Sequence, residues 1–418
     1  MYKTVLTLGL SFIFITPLNA QRVCGTMQNY SKQIEKDPLL EKQYEDAFKT
    51  IVDKDDHIRR TSRVVITIPV VVHVIHDNEA VGSGTNISDM QVESQIESLN
   101  EDFRLMNADS LTPGHPFWQY QSDVFIEFCL ARQTPGGQPS TGIERIFGGL
   151  DWEMSDCENV LKPQTYWDPN RYLNLWTVDW GGANIDLLGY AQFPGGSNVT
   201  DGVVIGYNYF GYLGNVTAPY DYGRTATHEI GHWLGLRHIW GDATCGNDLI
   251  SDTPEQEMDN SNCPSFPHNA FSICGSDADG EMFMNYMDYV DDRCMVMFTN
   301  EQSIRMNSAL STQRSSLMTS NGCSTPNPGI DENILFSQKI SVYPNPSTGV
   351  IKILATDLLS GPISIQVADI SGRIIKLLSI ENSHANSGLD LSDLSNGTYL
   401  LQFSQKDLKT IKKVCLIK

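Results

Sequence analysis

The stretch Thr227-His228-Glu229-Ile230-Gly231-His232-Trp233-Leu234-Gly235-Leu236-Arg237-His238 limits what this chain can become more than any other. His228 and His232 are four apart, so a helix would put both imidazoles on one face, one turn apart, within reach of a single ion. Glu229 is offset around that helix and can hold a reacting water beside a metal without ligating it. A helix running on past His232 would turn His238 away. Gly235 can take the left-handed conformation that ends a helix and swings the chain back, which makes His238 the expected third ligand. A lone H-x-x-x-H pair is ordinary on a helix surface. Three His, an acid and a Gly in this register, drawn from nine His in 418 residues, are not a chance pattern. Three neutral imidazoles and an open position suit zinc without a further carboxylate or thiolate.

Met1 to Ala20 carries one early Lys, an apolar run from Val5 to Ile15 and small or turn-forming residues before Ala20. It reads as a secretory signal peptide cut after Ala20. That run is too short to span a bilayer, and no later stretch offers about 18 uninterrupted apolar residues, so no transmembrane segment is predicted. Export favours disulfides. The cysteine count of nine is odd, which leaves at least one thiol over. Cys24, in Arg22-Val23-Cys24-Gly25, is the candidate: a thiolate near the new terminus can take the open zinc position and silence the enzyme, unless it is an incidental thiol. Ser31 to Asp56 is charged, with scattered Leu39, Leu40, Tyr44, Phe48 and Ile51, and predicts a marginally helical pro-segment. It ends in Ile58-Arg59-Arg60-Thr61-Ser62-Arg63, an exposed cluster open to a protease or simply a solvated charge run.

Val64 to His76 reads as a buried strand. Ser88 with Gln91 predicts a capping box before a helix with Val92, Ile96, Leu99 and Phe103 on its core face. Further strands are predicted at Val124–Leu130, Tyr172–Val178 and Val203–Tyr207. From Gly241 to Asp292 there is little hydrophobic periodicity, so this part needs staples. Cys245, Cys263, Cys274 and Cys294 can supply two, in any of three connectivities. Asp248 to Pro254 can wrap a calcium ion or form an acidic surface loop.

Met282-Phe283-Met284-Asn285-Tyr286-Met287-Asp288-Tyr289 offers flexible apolar side chains that can floor a triad of imidazoles. With H-E-x-x-H-x-x-G-x-x-H, it resembles the Met-turn of the metzincin metallopeptidases. His228 to His238, the four following Cys, and Asn285 through Cys294 resemble the pappalysin family, notably its small bacterial members, over about Arg63 to Ser320. The resemblance implies an α+β metzincin domain, with a twisted mixed sheet above an irregular, disulfide-stapled lower half. It implies zinc on His228, His232 and His238, Glu229 as general base and acid, and Met287 as the Met-turn methionine. It also implies Tyr289 as the phenol that stabilises the tetrahedral intermediate, and Cys24 as a cysteine switch. Bridges Cys245–Cys274 and Cys263–Cys294, and calcium around Asp248, Ser251 and Thr253, follow from the same likeness. Asp292 falls where such enzymes place the acid at the base of the S1′ pocket, implying cleavage of proteins or peptides before Arg or Lys. The Arg59–Arg63 cluster then becomes a site of self-processing. Cys129, Cys157, Cys323 and Cys415 receive no partner.

Around Gly322 to Gln338 the chain turns to Ser, Thr, Asn, Pro and Gly, a linker. Short alternating strands follow, at Ile340–Tyr343, Val350–Ile353, Ile363–Val367, Thr398–Phe403 and Val414–Ile417, and predict a small β-sandwich. Residues 339–418 carry nine Lys or Arg against six Asp or Glu, net +3, while the whole chain is −21. The acidic excess therefore lies upstream, which disfavours nucleic acid as a partner and is compatible with basic substrates. Tyr343-Pro344-Asn345-Pro346, Asp369-Ile370-Ser371-Gly372-Arg373 and Leu394-Ser395-Asn396-Gly397-Thr398-Tyr399 resemble a type IX secretion sorting domain, with that secretion machinery as partner. The expected organisation is signal peptide 1–20, pro-segment 21–60, catalytic domain 61–321, linker 322–338 and sorting domain 339–418. The expected product is a secreted zinc endopeptidase made as a latent zymogen, free or held at the cell surface by its tail. The alternative is a silent extracellular binding or adhesion protein that keeps the metal fold.

Overall fold

A computed structural model describes residues 22–60, 64–275, 278–326, 336–337, 339–355, 362–370, 372–380, 387–406 and 408–418. The predicted signal peptide and Thr61 to Arg63 lie outside the described residues. Contacts divide the chain into two compact units, one of residues up to Ala131 with Thr141–Cys323, the other of Arg132–Ser140 with Ser324–Lys418. Among the described residues no helix is long and apolar enough to cross a membrane.

In the first unit, β1 (Ile66–His76), β2 (Ile126–Leu130), β3 (Ile143–Phe147), β4 (Leu173–Val178), β5 (Gly189–Ala191) and β6 (Val203–Gly206) form one sheet. Its order is β2-β1-β4-β6-β5, with β3 following β2 along the same side of β1. All pairs are parallel except β5 with β6. β1 is buried from Ile68 to Ile75 because both faces are covered, which is why its sequence is a near-continuous Val and Ile run. β3 and β5 were not anticipated. β3 is partly exposed with charged residues at its centre, and β5 spans three residues beginning with a glycine, too short for a period to show.

The helix Asp89–Phe103 buries Val92, Ile96, Leu99 and Phe103 against this sheet. Ser88 accepts from the Gln91 amide at 3.1 Å, but the Gln91 side chain does not return to it. That side chain instead donates to the carbonyls of Tyr207 and Phe210, both at 3.0 Å, so only half of the predicted capping box exists. A full box, not anticipated, starts the helix Asn300–Thr312, with Thr299 and Gln302 as its members. The N-terminal segment forms two helices, Thr26–Lys36 and Leu39–Arg60. They are better anchored than the sparse apolar residues suggested. Tyr44, Ala47 and Ile51 are buried, Phe48 lies between the guanidinium groups of Arg237 and Arg305, and Asp55 accepts from Arg305 at 2.9 Å.

Between Gly241 and Asp291 the described backbone forms turns and loops rather than helices or strands. Cys245 bridges Cys274, and Cys263 bridges Cys294. Cys129 bridges Cys323 across 194 residues, a pairing that no sequence signal suggested. Cys24, Cys157 and Cys415 are free thiols.

The second unit holds β7 (Ile340–Tyr343), β8 (Val350–Ala355), β9 (Ile363–Asp369), β10 (Ile374–Ile380), β11 (Ser387–Asp390), β12 (Gly397–Gln405) and β13 (Leu408–Leu416). They form two antiparallel sheets, β10-β9-β12-β13 and β11-β8-β7. Alternate residues such as Ile351, Ile353, Ile365, Val367, Leu401 and Phe403 fill the core, as a small β-sandwich requires. The sequence motifs serve local geometry. Asn345 accepts from the Cys415 amide at 2.8 Å, Asp369 accepts from the Arg373 amide at 3.1 Å, and the Tyr399 hydroxyl donates to the Ser395 carbonyl at 2.9 Å.

Candidate active site

The helix Arg224–Trp233 is buried along its whole length and carries His228, Glu229 and His232. It stops because Gly235 adopts φ +87°. The Leu236 amide then donates to the Gly231 carbonyl at 3.0 Å and the Gly235 amide to the His232 carbonyl at 2.8 Å, the paired bonds of a Schellman turn. Arg314 satisfies the Trp233 carbonyl at 3.0 Å while paired with Asp201, which pins this end of the helix. The reversed chain brings His238 back beside the other two imidazoles.

The three Nε2 atoms converge: His232 lies 3.2 Å from His228 and 3.1 Å from His238. Each Nδ1 already has an acceptor, the Tyr286 carbonyl at 2.7 Å for His228, the Leu236 carbonyl at 2.8 Å for His232 and Asp242 at 2.5 Å for His238. With protons on Nδ1, three Nε2 lone pairs face one another. That arrangement is repulsive unless a cation lies between them, and tetrahedral zinc with Zn–N of about 2.0–2.1 Å spaces its ligands at about 3.3 Å. Burial and the neighbouring imidazoles push His228 well below its usual value, and burial with His238 pushes His232 down to about 3, so both are neutral as ligation demands. The Cys24 sulfur completes the group, with all four donor atoms within 4.8 Å of one another. Burial and then the Glu229 carboxylate push the Cys24 thiol well up, so a thiolate here needs a cation beside it.

Met287 is fully buried against the helix that carries His228 and His232. A Cβ on Gly231 would meet its sulfur at 2.5 Å, so the helix carries glycine where the Met-containing turn approaches most closely. Tyr289 packs edge-on to His238, with ring centroids 5.0 Å apart, and burial raises its phenol well above the usual value, keeping it a proton donor. Trp240 stacks flat on His238 at 4.4 Å. Asp242 and Trp240 were not anticipated, although Asp242 stands four residues after His238, a spacing that could have flagged it.

The N-terminal segment lies across the cluster along the free side of β5. The Leu188 amide donates to the Val23 carbonyl at 3.0 Å and the Gly25 amide to the Gly189 carbonyl at 2.9 Å, with Cys24 parallel to β5. The Arg22 guanidinium is buried and ion-paired to Asp292, donates to the Thr225 hydroxyl at 3.3 Å and lies over the Tyr220 ring. Asp292, itself fully buried, also accepts from the amides of Tyr222 at 2.9 Å and Arg224 at 3.2 Å. Thr26 was missed by sequence reasoning. Its hydroxyl donates to Glu229 at 2.9 Å while accepting from the Ala191 amide at 2.8 Å. Burial raises Glu229 to about 7.

In the loop where calcium was expected, Asp248 is buried and accepts from the Thr253 hydroxyl at 2.9 and 3.0 Å and from the Ile250 amide at 3.1 Å. Ser251 is exposed. Neighbouring Asp252 braces the helix Asn300–Thr312 instead, accepting from Thr299 at 2.6 Å and from the Glu301 amide at 2.9 Å.

A twisted mixed sheet, an edge strand beside a buried helix, three converging imidazoles and a buried methionine packed on that helix define a metzincin zinc metallopeptidase. Residues 157–311 match a peptidase family described as pregnancy-associated plasma protein-A, and residues 341–418 match a secretion system C-terminal sorting domain. An extracellular metalloprotease of Verticillium alfalfae is 32% identical over 262 residues, 61% of this chain and 79% of that protein. Mature mirolysin of Tannerella forsythia in complex with a cleaved peptide is 44% identical, with TM-score 0.58, over 64% of this chain and 100% of that one. A promirolysin mutant is 41% identical with TM-score 0.61, over 73% and 100%. The chain belongs to the pappalysin family. It is a secreted zinc metalloendopeptidase with a type IX secretion sorting tail.

Proposed function

We propose that this endopeptidase cuts proteins before Arg or Lys and is made as a latent precursor, with His228, His232 and His238 holding its zinc. The observation that carries this reading is Arg22, whose guanidinium is seated on the buried Asp292 carboxylate. A substrate guanidinium in the same place would gain a charge-assisted contact that an apolar side chain cannot make. Substrate cut before Arg passes the metal first and the Asp292 pocket second. The N-terminal segment reaches the pocket at Arg22 and the metal cluster at Cys24, so it runs the opposite way and presents no bond in cleavable order. Latency then rests on three contacts: Arg22 fills the pocket, Cys24 takes the fourth metal position, and Thr26 occupies Glu229.

Zinc, when bound, supplies the Lewis acidity that lowers the pKa of water from about 15.7 to about 7 and polarises the scissile carbonyl. Glu229 takes the proton of the attacking water and returns it to the leaving amine, a task suited to a carboxylate near neutrality. The Tyr289 phenol donates to the developing oxyanion, and Met287 floors the imidazoles. The proposed organisation is leader 1–20, pro-segment 21–60, catalytic domain 61–321, linker 322–338 and sorting domain 339–418. It is supported by two helices ending at Arg60 and a sorting match beginning at residue 341.

The full-length chain carrying Cys24→Ala and Thr26→Val is expected to cleave an Arg- and Lys-rich protein before those residues, and a chelator should stop it. Mass spectrometry of the products checks both points. Substrate left intact by a chain that retains its zinc would favour the silent binding or adhesion protein.

We further propose calcium around Asp248, Ser251 and Thr253. Burial raises Asp248 from 3.8 to about 7. A carboxylate whose folded value lies above its unfolded one favours the fold at low pH, and that contribution is lost as pH rises through about 7. A bound divalent cation would cancel the loss. Calcium is therefore expected to raise the melting temperature by about 5 °C near about pH 8 and by little near about pH 5. Asp248→Asn should abolish the shift; an undiminished shift in that variant would remove Asp248 from the site.

A further inference from the structure

Asp102, in the last turn of the helix Asp89–Phe103, is a buried carboxylate joined to two other parts of the active site. One oxygen accepts from the Tyr286 phenol at 2.6 Å, and the other from the Thr227 hydroxyl at 2.7 Å. Thr227 immediately precedes His228, and the Tyr286 carbonyl is the acceptor for His228 Nδ1 at 2.7 Å. Asp102, Thr227, His228 and Tyr286 thus form a closed ring of bonds around one imidazole. The ring links the active-site helix to the turn that carries Met287, two segments nearly sixty residues apart.

We propose that Asp102 is a positioning residue: by fixing Thr227 and Tyr286 to one rigid carboxylate, it sets the ring plane of His228 and so the strength of metal binding. Its task is not charge neutralisation. Arg224 contacts Asp102 at 3.4 Å, but both its terminal nitrogens pair with Asp109, at 2.7 and 2.8 Å. Nor does the helix depend on Asp102 for anchorage, since Arg314 with Asp201 holds its far end and Arg224 with Asp109 its near end. Loss of Asp102 leaves both braces in place and frees the two hydroxyls that orient His228. Partners that orient a metal-binding histidine typically account for about 10–100-fold in affinity.

This rests on the reading that His228 holds zinc. The test uses the full-length chain and measures its zinc dissociation constant by competition with a chromogenic chelator, beside the melting temperature of the metal-free form. Asp102→Asn, Tyr286→Phe and Thr227→Val are each expected to weaken zinc binding by about 10–100-fold, with metal-free melting within a few degrees of the parent. The double variant Asp102→Asn with Tyr286→Phe should be no more than about threefold weaker than either alone, because both break the same link. Parental zinc affinity in all three variants, losses that multiply in the double variant, or a weakening matched by an equal loss of metal-free stability would overturn the proposal. Should Asp102→Asn fail to fold, Tyr286→Phe and Thr227→Val, each lacking one hydroxyl, decide it alone. A His228→Ala control with parental zinc affinity would sink the three-histidine site itself.

Discussion

Replacing Glu229 with Gln is expected to lower kcat/KM on a protein substrate by about 10²–10⁴-fold, the range attributed to a positioned general base. The substitution keeps the shape of the side chain and one acceptor oxygen, so the fold and the bound zinc should persist. Metal analysis and circular dichroism on the same sample would separate this from loss of structure. The same variant bears on maturation. If the enzyme removes its own N-terminal segment near Arg60, the Glu229→Gln chain stays full length while the parent shortens. Equal shortening of both would assign the cut to another protease. Arg59 is ion-paired to Asp56 at 3.0 Å and to Glu301, so this end of the helix must open before a protease can take it.

Asp292→Ala is expected to cost peptides with Arg after the scissile bond about 10²–10³-fold in kcat/KM, while peptides with Leu there change little. The magnitude is that of breaking a buried hydrogen-bonded charge pair, about 2–5 kcal/mol. Competition between the two peptides in one reaction measures it directly. The variant should also weaken latency, because Arg22 loses its ion pair and leaves a buried guanidinium with only neutral acceptors. Full-length Asp292→Ala is therefore expected to be less specific and less silent than the parent. A variant with unchanged preference for Arg would show that the pocket reads its substrate through another group.

The metal cluster was legible because its geometry is local. Two imidazoles four residues apart on a helix, a glycine able to take positive φ and a third imidazole just beyond all lie within Thr227–His238, and backbone geometry alone predicts their meeting. The long strand β1 and the core face of Asp89–Phe103 were legible for the same reason, since a run or a period records what each element buries. The short strand β5 carries no such record, yet it receives the N-terminal segment through the Leu188 amide and the Gly189 carbonyl. Gln91 illustrates the limit of local rules: its sequence position offers a capping box, while the carbonyls of Tyr207 and Phe210 compete for its amide and win.

By itself, then, the sequence determined the histidine-bearing helix, its stop, the Met-containing turn and the sorting tail, each through residues close in the chain. Tertiary structure alone decided that Thr26 reaches Glu229, that Asp102 ties Thr227 to Tyr286, and that Cys129 meets Cys323. Those contacts join residues separated by between 125 and 203 positions. No propensity or period encodes them. They exist because the sheet and its backing helix bring distant polar groups into a dry interior, where each must find a partner.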